Sequence, residues 1–69
     1  PLHAVAYRGN GKTYLFLWQS ETAGPIRLPL AAQRCTCIFP QQNDFAVQTG
    51  DALTVSLGDG VNAGVFVLE

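Results

Sequence analysis

Apolar residues in this chain come in short bursts with a period of two, and each burst is cut by Gly, Pro, Asn or Asp. No stretch carries the i, i+3, i+4, i+7 spacing of an amphipathic helix. The first burst runs from Leu2 to Arg8 and ends at Gly9-Asn10-Gly11-Lys12. Asn and Gly tolerate positive φ, so that tetrapeptide predicts a hairpin. Thr13 to Gln19 comes next and is apolar on both faces, as a central strand covered on both sides would be. Glu21 to Pro25 reads as a turn. Ile26, Leu28 and Leu30 then alternate with Arg27 and Pro29, which puts the three aliphatics on one face. Pro25 and Pro29 cannot donate to a ladder and place this strand at a sheet edge.

Arg34 to Phe39 forms a fourth segment, stopped by Pro40, and Gln41 to Asp44 is a polar turn. Phe45 to Gln48 is short, and Thr49-Gly50-Asp51 turns again. Ala52 to Leu57 alternates with Leu53, Val55 and Leu57 facing in and Thr54 and Ser56 facing out. Gly58-Asp59-Gly60 is a second hairpin signal, and Gly64 to Leu68 closes the chain. About seven short strands with regular turn signals predict an all-β domain, a small antiparallel Greek-key sandwich or barrel spanning 1–69.

With 69 residues there is room for one domain only. Apolar residues make up 48% of the chain and charged ones 13%, about half the usual charged fraction of roughly 25%. That excludes disorder. It predicts either a surface rich in uncharged polar residues or one partly covered by a partner. Arg8, Lys12, Arg27 and Arg34 are dispersed, which argues against nucleic acid as a partner. No apolar run is long enough for a transmembrane helix, so no membrane partner is expected.

Candidate chemistry is sparse. Cys35 and Cys37 share a strand face, with Cα atoms roughly 6.6 Å apart on an extended strand, the long limit for a disulfide. They read as core-facing apolar residues in line with Phe39; with His3 they would supply three metal ligands where structural zinc wants four. His3 has no nucleophile and carboxylate placed to make it a general base. Pro1 offers the secondary amine that tautomerases use, but those build their site on a β-α-β unit and no helix is expected here. Glu21, Asp44, Asp51 and Asp59 fall in turns and Glu69 at the end of the chain, not across a cleft. The glycines match neither a phosphate loop nor a calcium loop. No enzyme activity, cofactor or metal is expected.

The aromatics are the one suggestive set. Tyr14, Phe16 and Trp18 share a strand face, and Tyr7 lies near them across the hairpin. They read either as core or docking residues, or as a platform on which sugars stack through Trp18, Tyr14 and Tyr7.

The run from Ala4 to Trp18, with Arg8-Gly9-Asn10-Gly11-Lys12-Thr13-Tyr14 followed by Leu15-Phe16-Leu17, resembles the opening of the C-terminal β-sandwich module of glycoside hydrolases. Asp51 to Leu57 and Val65 to Leu68 are similar to its penultimate and closing strands. The likeness covers nearly the whole chain and is shared by α-L-fucosidase-like, α-amylase-like and β-galactosidase-like modules. It implies a non-catalytic accessory domain that docks on or stabilises a carbohydrate-active enzyme, self-associates, or touches carbohydrate. It also implies a secreted or periplasmic setting. In those enzymes the catalytic carboxylates sit on a separate barrel, so no catalytic residue carries over.

Overall fold

The computed structural model describes residues 2–20, 24–58 and 62–69. Among them the chain forms seven β-strands and no helix: β1 (Leu2–Gly9), β2 (Lys12–Gln19), β3 (Ile26–Leu28), β4 (Cys35–Phe39), β5 (Ala46–Gln48), β6 (Leu53–Ser56) and β7 (Asn62–Leu68). They build two antiparallel sheets, one in the order β1-β2-β7-β4 and one in the order β3-β6-β5. The all-β sandwich expected from the apolar period is the observed fold.

The β1–β2 hairpin turns on Asn10 and Gly11, with φ of 55° and 76°. Two consecutive positive φ values make a type I′ turn, whose twist matches that of the flanking strands. This fixes Gly9 opposite Lys12 and every pair beyond it, out to Leu2 opposite Gln19.

Inward-facing residues alternate along the strands that line the core. Leu15, Leu17 and Gln19 of β2, Phe66 and Leu68 of β7, Leu53 and Val55 of β6 with Leu57 just beyond it, and Ile26 of β3 are buried between the sheets. Leu28, Leu30, Cys35, Cys37, Phe45 and Val47 pack at the margin of this core. The predicted parity of Leu53, Val55 and Leu57 holds, and β3 lies at an edge between Pro25 and Pro29.

Three expectations change. First, β2 is internal to its sheet, but only its odd-numbered face is covered; Trp18 on the other face is exposed. The second sheet can bury one face of β2 and no described element lies on the other. Second, Gly58-Asp59-Gly60 does not join a hairpin. Strands β6 and β7 belong to different sheets, so the connection crosses between layers; residues 59–61 themselves lie outside the described residues, as do Pro1 and the Glu21 to Ala23 part of the turn before β3. Third, Phe39 is not in line with the cysteines. The register slips between Cys37 and Phe39, and an extra residue in one strand reverses the facing of the residues beyond it. Phe39 therefore pairs with Val65 and is 63% exposed.

Gly64, opposite Leu17, faces a crowded part of the core. A Cβ there would sit 2.8 Å from the Phe66 ring and 3.1 Å from the Phe45 ring. Both are below ordinary contact, and Phe66 is fully buried. Gly64→Ala is expected to destabilise the fold by about 1–3 kcal/mol through overpacking, read as a lower urea midpoint with an unchanged m-value. An unchanged midpoint would mean that the two rings do not close over this position.

Candidate functional site: the outer face of the four-stranded sheet

Because odd positions of β2 enter the core, even positions leave it. Cross-strand register then assembles three rows on the outer face. Trp18 lies between His3 and Ala63, Phe16 between Val5 and Val65, and Tyr14 between Tyr7 and Val67. On the far side Val67 pairs with Thr36 and Val65 with Phe39. Val5, Tyr7, Trp18, Ile38 and Phe39 are exposed large apolar or aromatic side chains. No Asp, Glu, Lys or Arg occurs in these rows. Large contiguous apolar patches are uncommon on the surface of folded domains, which makes this face the candidate site.

The rings on this face pack on one another. His3 and Trp18 stack with centroids 5.1 Å apart and planes 17° from parallel. Tyr7 stacks on Tyr14 at 5.4 Å and 19°, and on Phe16 at 6.0 Å and 13°. Two rings lying flat and edge to edge would be held further apart than 5.1 or 5.4 Å by their rim hydrogens. These rings therefore face each other, and each spends one face on its neighbour. Tyr7, Tyr14 and Trp18, the three sequence-identified binding candidates, are brought together on one surface. Val5, Ile38 and Phe39 complete it. Val5 follows from the hairpin register; Phe39 depends on the bulge, which no residue pattern in the chain announces.

The remaining candidates do not converge. His3 is on the outer face at the β1 edge, whereas Cys35 and Cys37 pair with Leu68 and Phe66 on the core-facing side at the β4 edge. The sheet separates them, and among the described residues no three His, Cys, Asp or Glu side chains are grouped to hold a metal. Asp51 and Glu69 line a shallow open depression with Ala31, Ala32, Gln33 and Gly50. Glu69 also makes a surface ion pair with Lys12 at 3.8 Å. That depression offers no base paired with a nucleophile.

Two further polar arrangements hold connections between strands. Gln19 is 3% exposed and donates from Nε2 to the Gly58 carbonyl at 3.0 Å, tying the end of β2 to the segment after β6. Asn43 donates to the Pro40 carbonyl at 2.7 Å and to Cys37 Sγ at 3.5 Å, and its Oδ1 accepts from the Phe45 amide at 3.0 Å. Asn in a turn bonds the local backbone in this way, and here it closes the β4–β5 connection. Both are structural.

Both cysteine thiols are free. Burial, then the neighbouring Cys37, raises the Cys35 pKa from 9.0 to about 11. At pH 8 this leaves roughly a hundredfold less thiolate than an unperturbed thiol, so Cys35 is expected to react more slowly with a disulfide reagent, by less than that factor because the more basic thiolate is the stronger nucleophile. The folded state holds this proton more tightly than the unfolded chain. Its contribution to stability is thus complete below pH 9 and is lost as pH rises through about 11. A pH-dependent labelling rate followed by peptide mapping checks this; fast labelling of Cys35 at pH 8 would contradict its burial.

Set against known protein families, characterised proteins and solved structures, the chain matches none.

Proposed function

We propose that this chain is a non-catalytic β-sandwich that docks on a larger protein through the outer face of the β1-β2-β7-β4 sheet. The observation that carries the reading is that face itself: exposed Val5, Tyr7, Trp18, Ile38 and Phe39, with no charged residue in the three aromatic rows and Lys12 in the next row at the hairpin end. Trp and Tyr suit a docking surface because each has an apolar body and a polar tip. A partner that covers this face also accounts for the low charged fraction of 13%. The resemblance to glycoside hydrolase C-terminal modules gives the class of partner, a carbohydrate-active enzyme whose chemistry lies on another domain.

A second reading is a carbohydrate-binding module using Trp18, Tyr14 and Tyr7. It is favoured by the exposure of Trp18, at 43%. The mutual stacking of the rings weighs the other way, since it takes up one face of each ring and so reduces the surface a sugar could use.

The two readings separate in one experiment. Trp18 is the only tryptophan, so its emission reports this face directly. Docking predicts emission unchanged by a panel of oligosaccharides. It also predicts that Phe39→Ser alters unfolding free energy by no more than about 0.5 kcal/mol, while reducing binding of a hydrophobic dye. A saturable emission change with one sugar class, abolished by Tyr7→Ala, would replace docking with sugar binding. Loss of several kcal/mol on Phe39→Ser would show that the residue belongs to the core instead.

A further inference from the structure

The two sheets have four edges, β1, β4, β3 and β5, and three of them carry features that discourage strand addition. Strand β3 has three residues and lies between Pro25 and Pro29, and β5 also has three residues. Strand β4 is bulged and runs into Pro40. Strand β1 has none of these. It is eight residues long and pairs with β2 without a register shift. It contains no proline, and its one formal charge, Arg8, stands next to its end. Its described side chains from His3 to Arg8 are exposed on both faces, because the three-stranded sheet does not extend beneath it.

The ladder shows which backbone groups of β1 are open. Arg34 and Glu69 exchange both amide–carbonyl bonds, at 3.0 and 2.8 Å, so Glu69 bonds toward β4. Bonding direction alternates along an antiparallel strand. Leu68 therefore bonds toward β2, and its partner Thr13 toward β7. Tyr14 then bonds toward β1 and its partner Tyr7 toward β2. Alternation leaves the N–H and C=O groups of Ala4, Ala6 and Arg8 directed to the outside, with no strand beyond them among the described residues.

We propose that β1 pairs antiparallel with β1 of a second copy of this chain, with Val5 opposite the partner's Val5, joining two four-stranded sheets into one continuous sheet. This inference does not depend on docking through the outer face. The register is self-complementary. Ala4 faces the partner's Ala6 and His3 faces the partner's Tyr7, so small lies against small and ring against ring. Odd positions, which lie on the outer face of β1, meet odd positions, so outer face continues into outer face. The charges suit a second copy. With no acid in β1 to attract a cation, Arg8 must avoid its own image, and this register places the two Arg8 side chains about 20 Å apart along the ladder. That is more than two screening lengths at physiological salt. An ordinary interface takes about 800 Å² from each partner, roughly a sixth of the 4551 Å² of this chain. An eight-residue edge supplies less, so the dimer is weak and concentration-dependent.

Sedimentation equilibrium of the wild-type chain from micromolar to millimolar concentration tests this, together with two double variants. Ala4→Lys with Ala6→Lys and Ala4→Glu with Ala6→Glu place like charges opposite each other in the proposed register, on exposed positions. Each variant by itself is expected to dimerise at least about tenfold more weakly. An equimolar mixture of the two is expected to recover heterodimer at or above wild-type affinity, which a merely unfolded variant would not do. Phe39→Ser is expected to leave dimerisation unchanged. A wild-type chain that stays monomeric at millimolar concentration overturns the proposal. So does a dimer lost on Phe39→Ser but indifferent to the lysine pair, which would place self-association on the sheet face. Absence of heterodimer from the mixture overturns the proposed register.

Discussion

Everything in this fold depends on the pairing of β2 with β7. Those two strands sit at the centre of the four-stranded sheet, and between them they bury Leu15, Leu17, Phe66 and Leu68. Their register sets Leu15 opposite Phe66 and Leu17 opposite Gly64, all four buried in the core. A slip by one residue would exchange the faces of the strand, turning Tyr14, Phe16 and Trp18 inward. Apolar character alone does not forbid that exchange, because β2 is apolar on both faces. Packing forbids it: Leu15 and Leu17 are fully buried between the sheets, and the larger Phe16 and Trp18 rings would overfill the space those two leucines occupy.

The same constraint creates the surface through which docking is proposed. Once odd positions of β2 are committed to the core, the aromatic residues between them must leave it. Among the described residues no third layer covers them. In a chain of 69 residues, where a single core already supplies a thin margin of stability, that much aromatic surface outside the core is difficult to attribute to stability. It fits a surface that is completed by another molecule. The stacking of Tyr7 on Tyr14 and of His3 on Trp18 reduces the exposed ring area while leaving the face apolar.

Strand number, the hairpin at Asn10-Gly11, the edge position of β3 and the parity of β6 could be read from the residues, because each follows from a local rule: positive φ at a turn, missing donors at proline, alternation by two. The facing of β2 could not, since both of its faces carry apolar residues and only tertiary packing chooses between them. Phe39 was unreadable for a different reason. A bulge adds one residue to a strand and reverses everything beyond it, and Cys37-Ile38-Phe39 shows no break in pattern where the slip occurs. The Gln19 bond to Gly58 spans two distant segments and has no local signature. The candidate rings Tyr7, Tyr14 and Trp18 were legible as a group, but whether they lay inside or outside was not.

The central claim is that β2 divides the molecule, with odd positions in the core and even positions on an open face. The most direct measurement is the unfolding free energy of three single truncations along that strand, Leu15→Ala, Phe16→Ala and Leu17→Ala. Leu15 and Leu17 are 1% exposed, so each of their truncations should cost about 2–5 kcal/mol. Phe16, although the larger residue, should cost no more than about 1 kcal/mol, the scale of a cross-strand surface pair. A Phe16→Ala variant as damaging as its two neighbours, or more so, would mean that the outer face is itself packed, and that the sheet has no open surface to offer a partner.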